Sequence, residues 1–241
     1  MTTSYNPMII ENTTDLGNQA IEFPMKYNGF LGVSILHKYF SKNNMRCYFQ
    51  WGSKIFNKFV ILLMDDPDQY NFNIFKKMNK KQALIHARKI SNELKQGYEK
   101  ELLKLGIENV KVVQYKDFIN NKKYKLILKE ISKFFTLNSD FKNDLLKLME
   151  VSIGRKIDKL DLNGEKLQNA KNNLSKYLLE ELASVIFFSE NGYPIEVDPT
   201  IEFVSKTRLY RGDFQMLSNK LKLTRRGHIF AHPRDIEKSS Y

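Results

Sequence analysis

Two short apolar runs, GFLGVS at 29–34 and KFVILLMDD at 58–66, constrain the fold more than any other feature of this chain. Each is continuously apolar rather than alternating, and carries β-branched residues. That is the pattern of a strand covered on both faces inside a parallel sheet. Parallel neighbours cannot be joined by a tight turn, so the residues between them must make a crossover. ILHKYFSKNNMRCYFQWGSKIF supplies it, with Tyr39, Phe40, Tyr48 and Trp51 as the buried face of a crossover helix. Strand, crossover, strand is a βαβ unit, and the first run ends on Ser34 while the second ends on the carboxylates Asp65 and Asp66.

The pattern continues downstream. Residues 79–105 form a helix of about seven turns, closed by Gly106 as a C-cap, with Leu84, Ala87, Leu94, Tyr98, Leu102 and Leu105 as its core-facing stripe. NVKVVQY at 109–115 reads as a third strand, and Asp117 is the expected N-cap of the helix after it. Residues 140–190 are helical in pattern, and IEV at 195–197 and GHIFAHP at 227–233 are late strand candidates. Strands alternating with helices, without a linker or repeat, imply one α/β domain over 26–241 with a mostly parallel sheet. Residues 1–25 are expected to form a polar extension outside it, and they lack the basic and apolar regions of a secretory signal.

Charge narrows the partners. Thirty-nine Lys and Arg against 27 Asp and Glu leave a formal charge of +12, which favours polyanions, nucleic acid first among them. The alternative is a composition biased towards Lys and Asn, with the charges on an ordinary solvated surface. On the long helix, Lys81, Arg88 and Lys95 are seven residues apart and share a face. That row can track a phosphate backbone, and Lys89, Lys100 and Lys104 are further cations of the same helix. No apolar run reaches the length needed to cross a bilayer, so no membrane partner is expected. Cys47 is the only cysteine, which suits a reducing cytoplasm, and a monomer is expected.

A serine at the carboxyl end of a parallel strand lies where open α/β folds bind ligands, and Gly32 just before it clears space for an approaching substrate. Ser34 therefore suits a nucleophile or a ligand contact, though an N-cap is the competing reading, and His37 is a neighbouring base or surface residue. The chain has no G-x-S-x-G elbow, Walker A sequence or G-x-G-x-x-G. Nucleotide and dinucleotide cofactors are disfavoured and no cofactor is expected. His228 and His232, four apart without a third ligand, do not make a metal site. Tyr177 and Glu181 are one helical turn apart in YLLEELASVIFF, beside apolar residues that would desolvate the glutamate. They read either as a receptor for an ammonium group or as ordinary amphipathic surface.

The series FLGVSILHKYFS, YFQWGSKIF, VILLMDD, DFINNKKYKLI, SIGR and YLLEELASVIFF, in this order and spacing from about residue 29 to 190, resembles the cyclodipeptide synthases. The resemblance implies a Rossmann-like domain similar to class I aminoacyl-tRNA synthetase catalytic domains. It also implies an activity: two aminoacyl-tRNAs are consumed per turnover to release a cyclic dipeptide, a 2,5-diketopiperazine, with no cofactor. By that resemblance Ser34 is the nucleophile of a ping-pong path. Tyr177 and Glu181 hold the aminoacyl ammonium group and move protons, Phe30, Gly32, Leu62 and Tyr124 wall the first amino-acid pocket beside His37, and the basic helix contacts tRNA.

Two departures stand out. His37 occupies the position three after the serine where one large branch has Asn, which implies the other branch. The family's late tyrosine falls on Asp198, followed by Pro199, with Tyr193 and Pro194 as the alternative alignment. Two further readings remain open from the sequence: an inert RNA-binding module on the same fold, and a serine hydrolase pairing Ser34 with a histidine.

Overall fold

The computed structural model describes residues 8–37, 40–149, 162, 164–199, 208–209, 211–223 and 226–234. Its sheet has six strands: β1 (Met8–Thr13), β2 (Gly29–Val33), β3 (Phe59–Leu63), β4 (Val110–Gln114), β5 (Ile195–Asp198) and β6 (Gly227–Pro233). Their order is β1-β6-β5-β2-β3-β4. All neighbours are parallel except β1, which runs antiparallel to β6 with Met8 opposite Pro233. Residues 8–22, expected to lie outside the domain, are thus an edge strand and a helix, α1 (Asp15–Glu22), of the same sheet. SIGR at 152–155 and Tyr39 lie outside the described residues.

β2 and β3 are buried along almost their whole length, as two-sided strands must be. Alternate residues feed two cores. Phe30, Val60 and Leu62 face one, packed under α5 (Lys122–Leu137), α6 (Ser139–Met149) and α7 (Gly164–Ser189). Leu31, Val33, Ile61 and Leu63 face the other, under α2 (Lys42–Ile55) and α4 (Lys80–Lys104). Each large apolar side chain sealed here contributes roughly 1.5–3 kcal/mol.

The crossover helix forms as expected, but late. Its N-cap is Ser41, and Tyr48 and Trp51 are buried while Phe40 is half-buried. The Tyr48 hydroxyl donates to the Ala231 carbonyl at 2.8 Å, pinning α2 across to β6. Gly52 lets α2 lie close on β3, since a Cβ there would fall 2.3 Å from the Phe59 ring.

α4 opens with a reciprocal capping box between Asn79 and Gln82 and closes at Gly106, whose φ of 63° needs glycine. The Ile107 amide reaches back to the Leu102 carbonyl and that of Gly106 to Leu103, a Schellman closure. Of the expected stripe, Ala87, Tyr98 and Leu102 are buried and Leu84, Leu94 and Leu105 half-buried. Asp117 does not cap α5; Asn121 does, and Asp117 accepts the Gln114 amide at the short 3₁₀ turn after β4. α3 (Asp65–Phe75) was not expected at all, and its first turn is the acidic stretch DDPD.

Candidate active site

Ser34 follows the last residue of β2 and stands at the carboxyl edge of the sheet, in a turn closed by the His37 amide on the Ser34 carbonyl. It is not a helix N-cap, because α2 starts at Lys42 behind Ser41. Its hydroxyl lies 3.1 and 3.3 Å from the two carboxylate oxygens of Asp68 in the first turn of α3. Asp68 is fully buried and also accepts the Ile35 amide at 2.8 Å and the Asn71 side-chain amide at 2.8 Å. Burial pushes its carboxyl up to about 7 and Asp65 adds to the rise, while the bonds from Asn71, Ile35 and Ser34 pull the other way.

Tyr177 of α7 lies beside Ser34, close enough for the serine hydroxyl to act on the phenol. Burial holds the Tyr177 hydroxyl well above its ordinary value, with the charges of Glu181 and Asp68 adding to the effect, so it stays protonated at neutral pH. Glu181, one turn on from Tyr177, is near enough for its charge to act on the phenol. The group bonded to the serine is a carboxylate, with a phenol beside it, and His37 is exposed. That arrangement does not support the hydrolase reading.

Gly32 pairs in register with Leu62, and a Cβ built on it meets nothing within 4 Å. The sheet face in front of Ser34 is open there. Phe30, Leu62 and Tyr124 belong to one packed apolar cluster on that face, all at most 1% exposed. Phe30 packs on Phe188, and the Tyr124 hydroxyl bonds that of Tyr115, so these three form the floor under Gly32.

The two residues that align with the family's late tyrosine stand at opposite ends of β5. Val197 pairs with Leu31, so Asp198, one residue on, ends β5 beside Gly32 on the open face. Tyr193 precedes β5, at the far end of the sheet, and packs edge-on against Phe188. Asp198 lies 4.0 Å from His228, whose other ring nitrogen is 3.8 Å from Glu196. The described residues contain no cluster able to hold a metal ion.

Lys81, Lys89, Lys100 and Lys104 are exposed on α4. Arg88 and Lys95 instead face the protein's own acids. Arg88 forks onto buried Asp66 with two bonds of 2.7 Å, and Lys95 lies 3.8 Å from Asp117 and 3.9 Å from Glu99. Beyond the start of α4, a cleft of about 150 Å³ is lined by Gln69, Tyr70, Asn73, Lys80, Asn173 and Lys176. It sits between α3 and α7, one turn along from Asp68 and Tyr177. Sequence reasoning missed this cleft and Asp68 together, because it missed α3.

The model of the family described as cyclodipeptide synthase matches residues 27–187, which takes in Ser34, Asp68, Tyr177 and Glu181. The chain belongs to the cyclodipeptide synthase family. It is therefore one of the peptide-bond-forming aminoacyltransferases that use aminoacyl-tRNAs. The fold is similar to a cyclodipeptide synthase from Fluoribacter dumoffii, at 14% identity and TM-score 0.76 over 93% of this chain and 97% of that one. It is similar also to the synthase from Candidatus Glomeribacter gigasporarum bound to Phe-tRNAPhe, at 16% identity and TM-score 0.61, covering 94% and 95%. A tyrosyl-tRNA synthetase from Archaeoglobus fulgidus shares the fold at 13% identity and TM-score 0.56, covering 93% of this chain and 61% of the synthetase. No curated protein matches the chain in sequence. Among the described residues, no helix is long and apolar enough to cross a membrane.

Proposed function

We propose that the chain condenses two aminoacyl-tRNAs into a cyclic dipeptide by a ping-pong path through an aminoacyl ester on Ser34. The observation that carries this is the Ser34 hydroxyl, held at the carboxyl edge of β2 between Asp68 and Tyr177 and facing the open space over Gly32. An aminoacyl-tRNA is already an activated ester, so transfer to a serine exchanges one oxygen ester for another. The nucleophile needs positioning and a proton acceptor more than a full triad.

In this reading the first tRNA leaves with its 3′-hydroxyl restored. Tyr177 and Glu181 hold the ammonium group of the bound residue, and Glu181 takes its proton, which frees the amine. The amine of one residue then attacks the ester of the other. The amine that remains attacks the last ester, closing the six-membered ring. Asp198, beside Gly32, stands where the family's late tyrosine is expected, and His37 places the chain in the branch without Asn at that position. The floor of Phe30, Leu62 and Tyr124 selects an apolar first residue. Exposed Lys81, Lys89, Lys100 and Lys104 carry the tRNA backbone. The Phe-tRNAPhe held by the Glomeribacter synthase on a similar fold supports that partner. Charged tRNA places the work of a monomeric enzyme in the cytoplasm.

Mass spectrometry of the medium after expression in a bacterial host tests the reading. A diketopiperazine is expected from the parent protein and not from Ser34→Ala, while Ser34→Ala still binds aminoacyl-tRNA. A variant that keeps making product removes Ser34 from the path.

A further inference from the structure

We propose that Asp68 is the general base for Ser34, taking the hydroxyl proton directly as the serine attacks the first aminoacyl ester. The inference rests on the reading that Ser34 is acylated, and it assigns the one proton transfer that Tyr177 and Glu181 leave unexplained. An ionised carboxylate carries no hydrogen, so in the bond between Ser34 and Asp68 the serine must be the donor. The proton to be removed therefore already lies on the line to its acceptor. One carboxylate oxygen is 3.1 Å from the hydroxyl, inside the reach a base needs, and the other is 3.3 Å away.

The carboxylate is fixed from two further directions. The Ile35 amide bonds one oxygen and the Asn71 amide the other, so the group cannot swing away when the serine moves towards substrate. Full burial excludes water from the acceptor and poises it near neutral pH, where a base works best. A tie that only held the Ser34 turn in place would need the Ile35 bond and no contact with the hydroxyl.

Among the carboxyls near Ser34 that titrate near neutrality, Asp68 is the one bonded to the serine: Asp65, also raised to about 7, accepts the Tyr115 amide, and Glu180, likewise raised, accepts the Tyr70 hydroxyl. On α3 its charged neighbour is Asp65; on α7 Tyr177 stays protonated, with Glu181 behind it. α4 presents Arg88, which is committed to Asp66. The turn after β2 contributes the Ser34 hydroxyl and the Ile35 amide.

The step balances. The O–H bond of Ser34 breaks as its oxygen bonds the ester carbon, and the proton passes to Asp68. Collapse of the tetrahedral adduct breaks the bond to the tRNA 3′-oxygen, which takes the proton from Asp68 and leaves as the hydroxyl.

Single-turnover acylation of Ser34 by labelled aminoacyl-tRNAs, followed by rapid quench across pH, tests this. In the parent the acylation rate is expected to rise with a midpoint near 7. Asn71→Ala removes a bond that favours the ionised carboxylate, so its midpoint moves to higher pH. Asp68→Asn loses about 10²- to 10⁴-fold and its pH dependence, with tRNA affinity unchanged. The assignment is overturned if Asn71→Ala keeps the parent midpoint, or if folded Asp68→Asn acylates within a few-fold of the parent. Should Asp68→Asn fail to fold, the Asn71→Ala midpoint decides alone. A parent protein that is never acylated by any aminoacyl-tRNA instead brings down the proposed function, and this step with it.

Discussion

Replacing Arg88 by Ala should cost stability rather than tRNA affinity, although Arg88 sits in the middle of the basic helix. Its fork holds Asp66, whose side chain is 3% exposed, while the arginine itself is 40% exposed. Removing one partner of a buried pair costs about 3–5 kcal/mol, because the other charge is left without compensation. Here solvent can enter along the half-open arginine, so the lower end, about 3 kcal/mol, is the appropriate figure. At about 2–4 °C per kcal/mol for a chain of this size, the melting temperature should fall by roughly 6–12 °C. Pairing Arg88→Met with Asp66→Asn removes both charges and should recover most of the loss, since neutralising both partners is far cheaper than orphaning one. Thermal denaturation by circular dichroism gives the stabilities, and filter binding well below both transitions gives the tRNA affinities. An Arg88→Ala protein that melts within about 2 °C of the parent and binds tRNA as weakly as the lysine variants would refute the clamp and return Arg88 to the tRNA surface.

The exposed lysines should behave in the opposite way: changing Lys81, Lys89, Lys100 and Lys104 together to Glu is expected to leave melting nearly unchanged and to weaken tRNA binding, with a salt dependence shallower by a few units. An unaltered slope places the tRNA elsewhere. Asp65 and Glu180 are both raised to about 7, each chiefly by burial. The folded state therefore binds their protons more tightly than the unfolded chain, and their contribution is full below the ordinary carboxylate range and is lost as pH rises through 7. The melting temperature should fall from pH 5 to pH 8, and the paired change Asp65→Asn and Glu180→Gln should lessen that slope while Asp68, also raised to about 7, keeps its share. A parent melting temperature that climbs over this range contradicts the assignment.

The parts of the fold legible in the sequence were those whose burial is written locally. β2 and β3 lie between two helical layers, so their apolar runs are continuous, and α4 announces itself through its stripe and Gly106. β1 did not, because it is an edge strand with Glu11 and Asn12 exposed. α3 was hidden for a different reason: DDPD reads as a polar turn, and its acids become buried only through contacts distant in sequence, with Ile35, Arg88 and Tyr115. The site divides along the same line. One-turn spacing put Tyr177 and Glu181 on one helix face and the resemblance gave them a role, whereas the bond from Ser34 to Asp68 needed the register of α3 against the Ser34 turn. Spacing also grouped Arg88 with the lysines, since periodicity gives the face of a helix but not what the rest of the chain sets opposite it. That Asp198, and not Tyr193, comes level with Gly32 was equally out of reach, because it depends on the register of β5 against β2.

The pairing of β1 with β6 has a consequence for synthesis. Met8 leaves the ribosome about 225 residues (233 − 8) before its partner Pro233. At about 5–20 residues per second the strand waits on the order of 10–45 s for its neighbour to be made. A waiting strand is a template for pairing with other nascent chains, and charged or polar residues are the usual protection. The Glu and Asn that disguise MIIENT as a tail are thus suited to keep it single until the last strand arrives.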